Sequence, residues 1–135
     1  MLILRLKQRF DELLRHETER VYPVEACALL FGILTENEAV VQKVEVTQNM
    51  LRSSTKFEVN PTEVAMAVTE AEKEGLEFVG LFHSHPAPAS PSKTDLDVIR
   101  LWPDTVWLIL SSTESSMAAF QLTDGKIENV AIRID

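Results

Sequence analysis

The run Glu77-Phe78-Val79-Gly80-Leu81-Phe82-His83-Ser84-His85, stopped by Pro86, constrains this chain more than any other stretch. A short apolar run ended by a proline reads as a core strand. Residues i and i+2 of a strand point to the same side, so His83 and His85 project together. Pro86 cannot donate to a ladder and ends regular pairing. Pro86, Pro88 and Pro91 stiffen the loop that follows, and Ser92-Lys93-Thr94-Asp95 has the spacing of a helix start. Two imidazoles, one carboxylate and one hydroxyl are thereby brought into a small volume. Two histidines and one aspartate suit Zn²⁺ with a fourth position left for water. The plainer reading is a half-buried strand followed by a capped helix, and His-x-His alone does not exclude it. The addition of Ser92 and Asp95 at this spacing favours the metal.

The chain has 135 residues, so one domain spanning residues 1–135 is expected. With 45% apolar and 25% charged residues, it can build one real core. A formal charge of −8 repels phosphate backbones, which argues against nucleic acid as a partner. No apolar run approaches the roughly 18 residues of a membrane span. Basic residues Arg5, Lys7 and Arg9 interrupt the first apolar residues, unlike a signal peptide, so a cytoplasmic location is expected. The single cysteine, Cys27, can form neither an intrachain disulfide nor a multi-thiolate zinc site. It reads as a small buried apolar residue. Oligomeric state is not legible, and a homodimer stays open.

In chain order, Leu2-Ile3-Leu4 reads as an edge strand. The apolar positions 6, 10, 13 and 14 have a helical period, predicting a helix over Lys7–Glu19. His16 lies off that stripe and reads as a surface residue. Ala28–Leu34 reads as a strand buried on both faces, with Glu25 at its entrance. A carboxylate there is either solvated or serves a purpose, because burying an unpaired charge is costly. Ala39–Val46 is a valine-rich strand paired with it. Thr47–Lys56 is irregular and contains Met50 and Leu51. Phe57-Glu58-Val59 reads as a short strand. Asn60 caps a helix that begins at Pro61 and ends at Gly75, with Val64, Ala67, Val68 and Ala71 on its apolar face. A third helix is expected over Ser92–Leu101, stopped near Pro103. Thr105–Leu110 is another core strand, and Trp102 and Trp107 pack in or around the core. Met117–Leu122 and Ile127–Ile134 flank the hairpin signal Asp124-Gly125. This order predicts an α/β domain, a mixed sheet flanked by helices.

Other His-x-His folds fit poorly. A metal-dependent (β/α)₈ hydrolase needs about 250 residues. Zinc deaminases need Pro-Cys-x-x-Cys, and the helical His-Glu-x-x-His of metalloproteases is absent. An upstream glutamate, His83-Ser84-His85-Pro86 and then Ser92-x-x-Asp95 instead resemble the signature of the JAMM (MPN-plus) metalloproteases. Pro23–Gly32 is similar to that family's segment around its catalytic glutamate, and Phe57–Pro61 and Val79–Asp95 match in order and kind. The similarity covers nearly the whole chain, in the compact form of archaeal and bacterial members. Two departures stand out. Six residues, Pro86–Pro91, replace the usual seven between histidine and serine, and Ala28 replaces a frequent glycine.

The resemblance implies the MPN fold, a cytidine-deaminase-like architecture. It implies one zinc per chain on His83, His85 and Asp95, with Glu25 as general base and acid. Ser92 would hydrogen-bond the reacting water and the developing oxyanion. Ser84 points away from the histidines and has no expected role in catalysis. The implied reaction is hydrolysis of the amide bond after the C-terminal Gly-Gly of a ubiquitin-like modifier conjugated to lysine, as a desampylase-like deubiquitinase relative would perform. Processing of a sulfur-carrier protein's C-terminus and a catalytically silent scaffold are the alternatives, the latter disfavoured because all five positions are present. The modifier tail is expected against a sheet edge around Thr47–Val59. Ser92 and Asp95 also spell a capping box. Cap and metal site are expected to exclude one another, since an Asp95 oxygen on the metal would abandon the Ser92 N–H.

Overall fold

A computed structural model describes residues 2–102 and 104–135. Within them lie β1 (Ile3–Leu6), α1 (Gln8–Val21), β2 (Cys27–Leu34), β3 (Glu38–Thr47) and α2 (Pro61–Lys73). Then follow β4 (Glu77–His85), α3 (Lys93–Ile99), β5 (Val106–Ser111), β6 (Met117–Thr123) and β7 (Lys126–Ile134). The expected α/β architecture with a mixed sheet is present. The strand order is β1-β3-β2-β4-β5-β6-β7, with β4 antiparallel to β2 and parallel to β5.

The first strand is not an edge. β1 pairs in parallel with both β3 and β7 and closes the sheet on itself. Its inward residues Leu4 and Leu6 are fully buried. Closure removes the unpaired backbone row that an edge would leave in water.

Alternation sorts the strands onto two apolar layers. Ala26, Ala28 and Leu30 face one layer together with Leu14 of α1 and Phe82 of β4. Leu29, Phe31, Leu81 and Trp107 face the other, under Ala71 of α2 and Ile99 of α3. Because successive residues point to opposite faces, Glu25, His83 and His85 all fall on the α2–α3 side. Gly80 lets β4 lie flush against β5, since a Cβ there would sit 1.9 Å from the Val106 carbonyl oxygen.

Several local expectations hold. Asn60 caps α2 by accepting from the Thr62 N–H, Gly75 takes a positive φ, and Asp124 and Gly125 both take positive φ in the β6–β7 turn. Others need correction. Phe57–Val59 is not a strand: the Glu58 N–H goes to the Asn49 side chain, and the Glu58 carbonyl accepts from the Met50 N–H. The segment is therefore tied to its own loop and not to a ladder. Helix α3 stops at Ile99, earlier than Leu101, because the Leu101 and Trp102 N–H groups turn back three residues to Val98 and Ile99. The expected stop at Pro103 lies outside the described residues. Helix α1 starts at Gln8 and runs to Val21, two residues beyond Glu19, and Leu13 is half-exposed while Thr18 joins its buried face. The Thr47–Val59 sheet edge is absent, since no strand lies between Thr47 and Pro61 among the described residues.

Candidate metal centre

β4 delivers His83 and His85 to one side, as its alternation requires. The rings lie 5.6 Å apart, and they are 0% and 6% exposed. His83 is stacked on Phe57 at 4.6 Å and meets the edge of Trp107 at 5.6 Å. These aromatic walls hold the ring upright and keep water from its flank.

The loop of residues 86–91 returns the chain over the histidines, and α3 begins at Ser92. Here the capping box is fully formed. The Ser92 hydroxyl accepts from the Asp95 N–H at 3.0 Å, and Asp95 Oδ2 accepts from the Ser92 N–H at 2.9 Å. The same Oδ2 lies 3.1 Å from His83 Nε2 and 4.0 Å from His85 Nε2. Cap and ligand cluster thus meet at the same Asp95 Oδ2. A carboxylate oxygen has two lone pairs, one for the N–H and one for the space between the imidazoles. The six-residue loop is long enough to place Asp95 there.

One donor atom from each of His83, His85 and Asp95 falls within 4.8 Å of the others. Donors about 2.0–2.1 Å from a tetrahedral Zn²⁺ stand about 3.3 Å apart, close to the 3.1 and 4.0 Å separations observed. His85 Nε2 also lies 3.1 Å from the Ser90 carbonyl oxygen, a contact that ligation would replace. The side chain of Glu25, 2% exposed, comes to the same region with a buried Oε1 that has no hydrogen-bond partner among the described residues. Two buried carboxylates beside two imidazoles, one oxygen unpartnered, leave a deficit of positive charge that a dication would fill.

The electrostatics divide these groups. Burial, followed by the neighbouring Asp95 charge, pushes the Glu25 carboxyl up to about 8. Burial opposes ionisation of Asp95 too, but the His83 hydrogen bond and charge and the Ser92 contacts outweigh it and hold Asp95 below the usual carboxylate range. Burial, then the charge of His83, lowers His85. Asp95 is a ready anion, and Glu25 can hold or release a proton near neutrality. Glu25, His85 and the exposed Ser92 line one cavity of about 260 Å³. His16 is exposed on α1 and is not in the cluster, and Cys27 is a buried thiol whose ionisation burial suppresses.

Residues 6–123 match the family described as prokaryotic homologs of the JAB domain. The chain belongs to that family. The JAMM resemblance of the sequence therefore holds, and with it the expectation of zinc, which the buried cluster suits. Among relatives of this JAB domain is a desampylase of Pyrococcus furiosus, 41% identical over 113 residues, 83% of this chain and 77% of that one. A desampylase of Haloferax volcanii is 27% identical over 129 residues, 93% and 91% of the two chains. The solution structure of a Desulfitobacterium hafniense protein superposes with a TM-score of 0.88 at 27% identity, covering 100% of this chain and 93% of that one. One from Salinibacter ruber gives 0.70 at 25% identity, covering 96% and 91%. The JAB domain is thus a homologue of JAMM metalloproteases in sequence and fold.

Sequence reasoning passed over three residues around this site. Phe57 reads as a strand residue in the sequence, yet it is the stacking partner of His83. Ser84 and Asn49 both hold the backbone at Glu25. Ser84 carried a signal: a hydroxyl on the apolar side of a core strand must find a partner. Asn49 sits in an irregular loop, where no periodicity marks a buried side chain.

Proposed function

We propose that this JAB domain, acting as one unit over residues 1–135, is a zinc-dependent isopeptidase. Its substrate is the amide bond after the C-terminal Gly-Gly of a ubiquitin-like modifier conjugated to lysine. The observation that supports this best is Glu25, buried with an unpartnered carboxylate oxygen beside a two-histidine, one-aspartate cluster. The desampylase relatives supply the substrate class.

His83, His85 and Asp95 would hold one zinc per chain. When bound, zinc lowers the pKa of a water towards ~7 and polarises the scissile carbonyl. Glu25 accepts a proton from the attacking water and passes it to the leaving lysine amine, so one carboxyl serves as base and then as acid. A raised pKa suits it to both. Ser92 uses its oxygen to accept from the Asp95 N–H, which leaves its hydroxyl hydrogen to donate to the developing oxyanion. Asp95 would complete the ligand set in its charged form. Phe57 and Trp107 exclude water from one side.

The tail needs a narrow approach. β1 covers β3 only at Glu38–Val40, so the second half of β3 borders β2 alone. That half ends at Thr47, which lines with Glu25 a cavity of about 460 Å³. An extended tail adding to this edge would reach Glu25. The half-exposed Met50 and Leu51 would meet the body of the modifier.

The test incubates zinc-loaded protein with a modifier–lysine conjugate and, beside it, a linear carrier fusion, with and without chelator. Release of free modifier from the conjugate, lost with chelator and restored by zinc, is expected. Cleavage of the linear fusion alone would favour carrier processing, and absence of zinc binding would favour a scaffold.

A further inference from the structure

We propose that Asn49 and Ser84 are positioning residues that aim Glu25 by clamping the peptide group between Glu25 and Ala26. This rests on Glu25 being the general base. The ladder of β2 begins only at Cys27, which pairs with Thr47 and His83. Glu25 lies beyond that ladder, and its own carboxylate makes no hydrogen bond among the described residues, so its backbone and packing alone aim it.

Side chains take over where the ladder stops. The Glu25 carbonyl accepts from Asn49 Nδ2 at 3.2 Å, and the Ala26 N–H donates to Ser84 Oγ at 2.9 Å. Both ends of one peptide plane are thus held by side chains from different elements. The Glu25 N–H donates to the Ser53 carbonyl at 2.8 Å, and the Ser84 N–H donates to the Ala26 carbonyl at 3.1 Å.

Asn49 is built for this. It is 5% exposed and lies in a loop. Its Nδ2 also reaches the Lys56 carbonyl at 2.9 Å and the Ser53 carbonyl at 3.4 Å. Its Oδ1 accepts from the Leu51 and Glu58 N–H groups at 3.1 and 3.2 Å. Carbonyls on one side and N–H groups on the other allow only one orientation of the amide. One side chain therefore ties the loop of residues 49–58 to the base. Ser84 does the same from β4, on the opposite side of the strand from the ligands it separates. Any movement of the Glu25 backbone relative to His83 and His85 must break one of these bonds.

A displacement near 1 Å costs about 10²-fold in rate. Asn49→Ala in the zinc-loaded full chain should lower kcat by about 10- to 100-fold on a modifier–lysine conjugate. KM should stay within about twofold and zinc content should be unchanged, a split that general loss of structure does not produce. Amide hydrogen exchange supplies a readout apart from activity. The Glu25 and Ala26 amides should exchange at least about tenfold faster, with Leu108 in β5 unchanged. Asn49→Asp, which keeps size and the Oδ1 acceptor but loses the donor, serves if Asn49→Ala does not fold. A kcat within twofold of wild type overturns the proposal. So does zinc loss in step with kcat, unchanged exchange at Glu25 and Ala26, or failure of both variants to fold. If the wild type leaves the conjugate intact, the proposed function fails, and the exchange measurement alone decides the clamp.

Discussion

Glu25 and Asp95 are two buried carboxylates on the same side of one sheet, 2% and 3% exposed. Their surroundings push them in opposite directions. Asp95 begins a helix, where it accepts the Ser92 N–H and faces His83. Glu25 precedes a strand, and its Oε1 meets no donor. Burial disfavours charge on both, and only Asp95 is compensated. The comparison separates two jobs that the same functional group can do. In the proposed reaction the compensated carboxylate serves as the ligand, held in its charged form. The uncompensated one can pick up and release a proton, as a general base and acid must.

The largest effects should come from exchanging these jobs for neutral side chains. Asp95→Ala should strip or greatly weaken zinc binding and abolish turnover, read by elemental analysis and cleavage assay. Glu25→Gln should keep zinc and fold while losing about 10²–10⁴ in rate, the usual contribution of general acid–base catalysis. If Glu25→Gln cleaves near the wild-type rate, or Asp95→Ala retains its zinc, the division between the two carboxylates is wrong.

The sequence made one half of this comparison easier to read than the other. His83 and His85 follow from strand alternation, and Asp95 from the helix-start spacing, because both rules are local. The face of Glu25 follows from the same alternation, but only once the strand it precedes is placed between β3 and β4. Its backbone is held by Asn49, 24 residues further along the chain, and through the Ala26 N–H by Ser84, 58 residues beyond Ala26. No local pattern encodes contacts of that range. The closure of the sheet through β1 was hidden for the same reason: a four-residue apolar segment looks alike whether one or both of its sides are paired. The loop at Phe57 misled because alternation was present while the hydrogen-bond partner was a side chain, not a strand.

Ser92 sharpens the comparison from the Asp95 side. Its hydroxyl supports the cap and, in the proposed reaction, the oxyanion. Ser92→Ala should keep zinc and lower the rate constant by about 10²–10³, the scale of one lost oxyanion donor. Loss of the cap should also cost about 0.5–2 kcal/mol, seen as melting a few degrees lower. If melting falls but the rate does not, Ser92 is a cap alone.

The smallest effect is the most direct measure of the Glu25 environment. Metal-free protein should lose stability as pH rises from 6.5 to 8. With a folded-state value of about 8 against an ordinary 4.5, folded Glu25 holds a proton that the unfolded chain has released. Stability then falls with rising pH across that interval. Below 6.5 the lowered His85 acts in the opposite sense, because there the unfolded chain takes up a proton that the folded chain refuses. Asp95 contributes only near and below 3.8, and Cys27 only above 9. Among the shifted groups, Glu25 therefore dominates the interval from 6.5 to 8, the opposing His85 contribution fading above 6.5. Melting in chelator should show a fall of a few degrees for wild type and none for Glu25→Gln. Zinc should remove the fall, because a dication beside Glu25 favours its charged form. Identical slopes for wild type and Glu25→Gln in chelator would mean that burial does not keep the proton on Glu25, and the contrast with Asp95 would collapse.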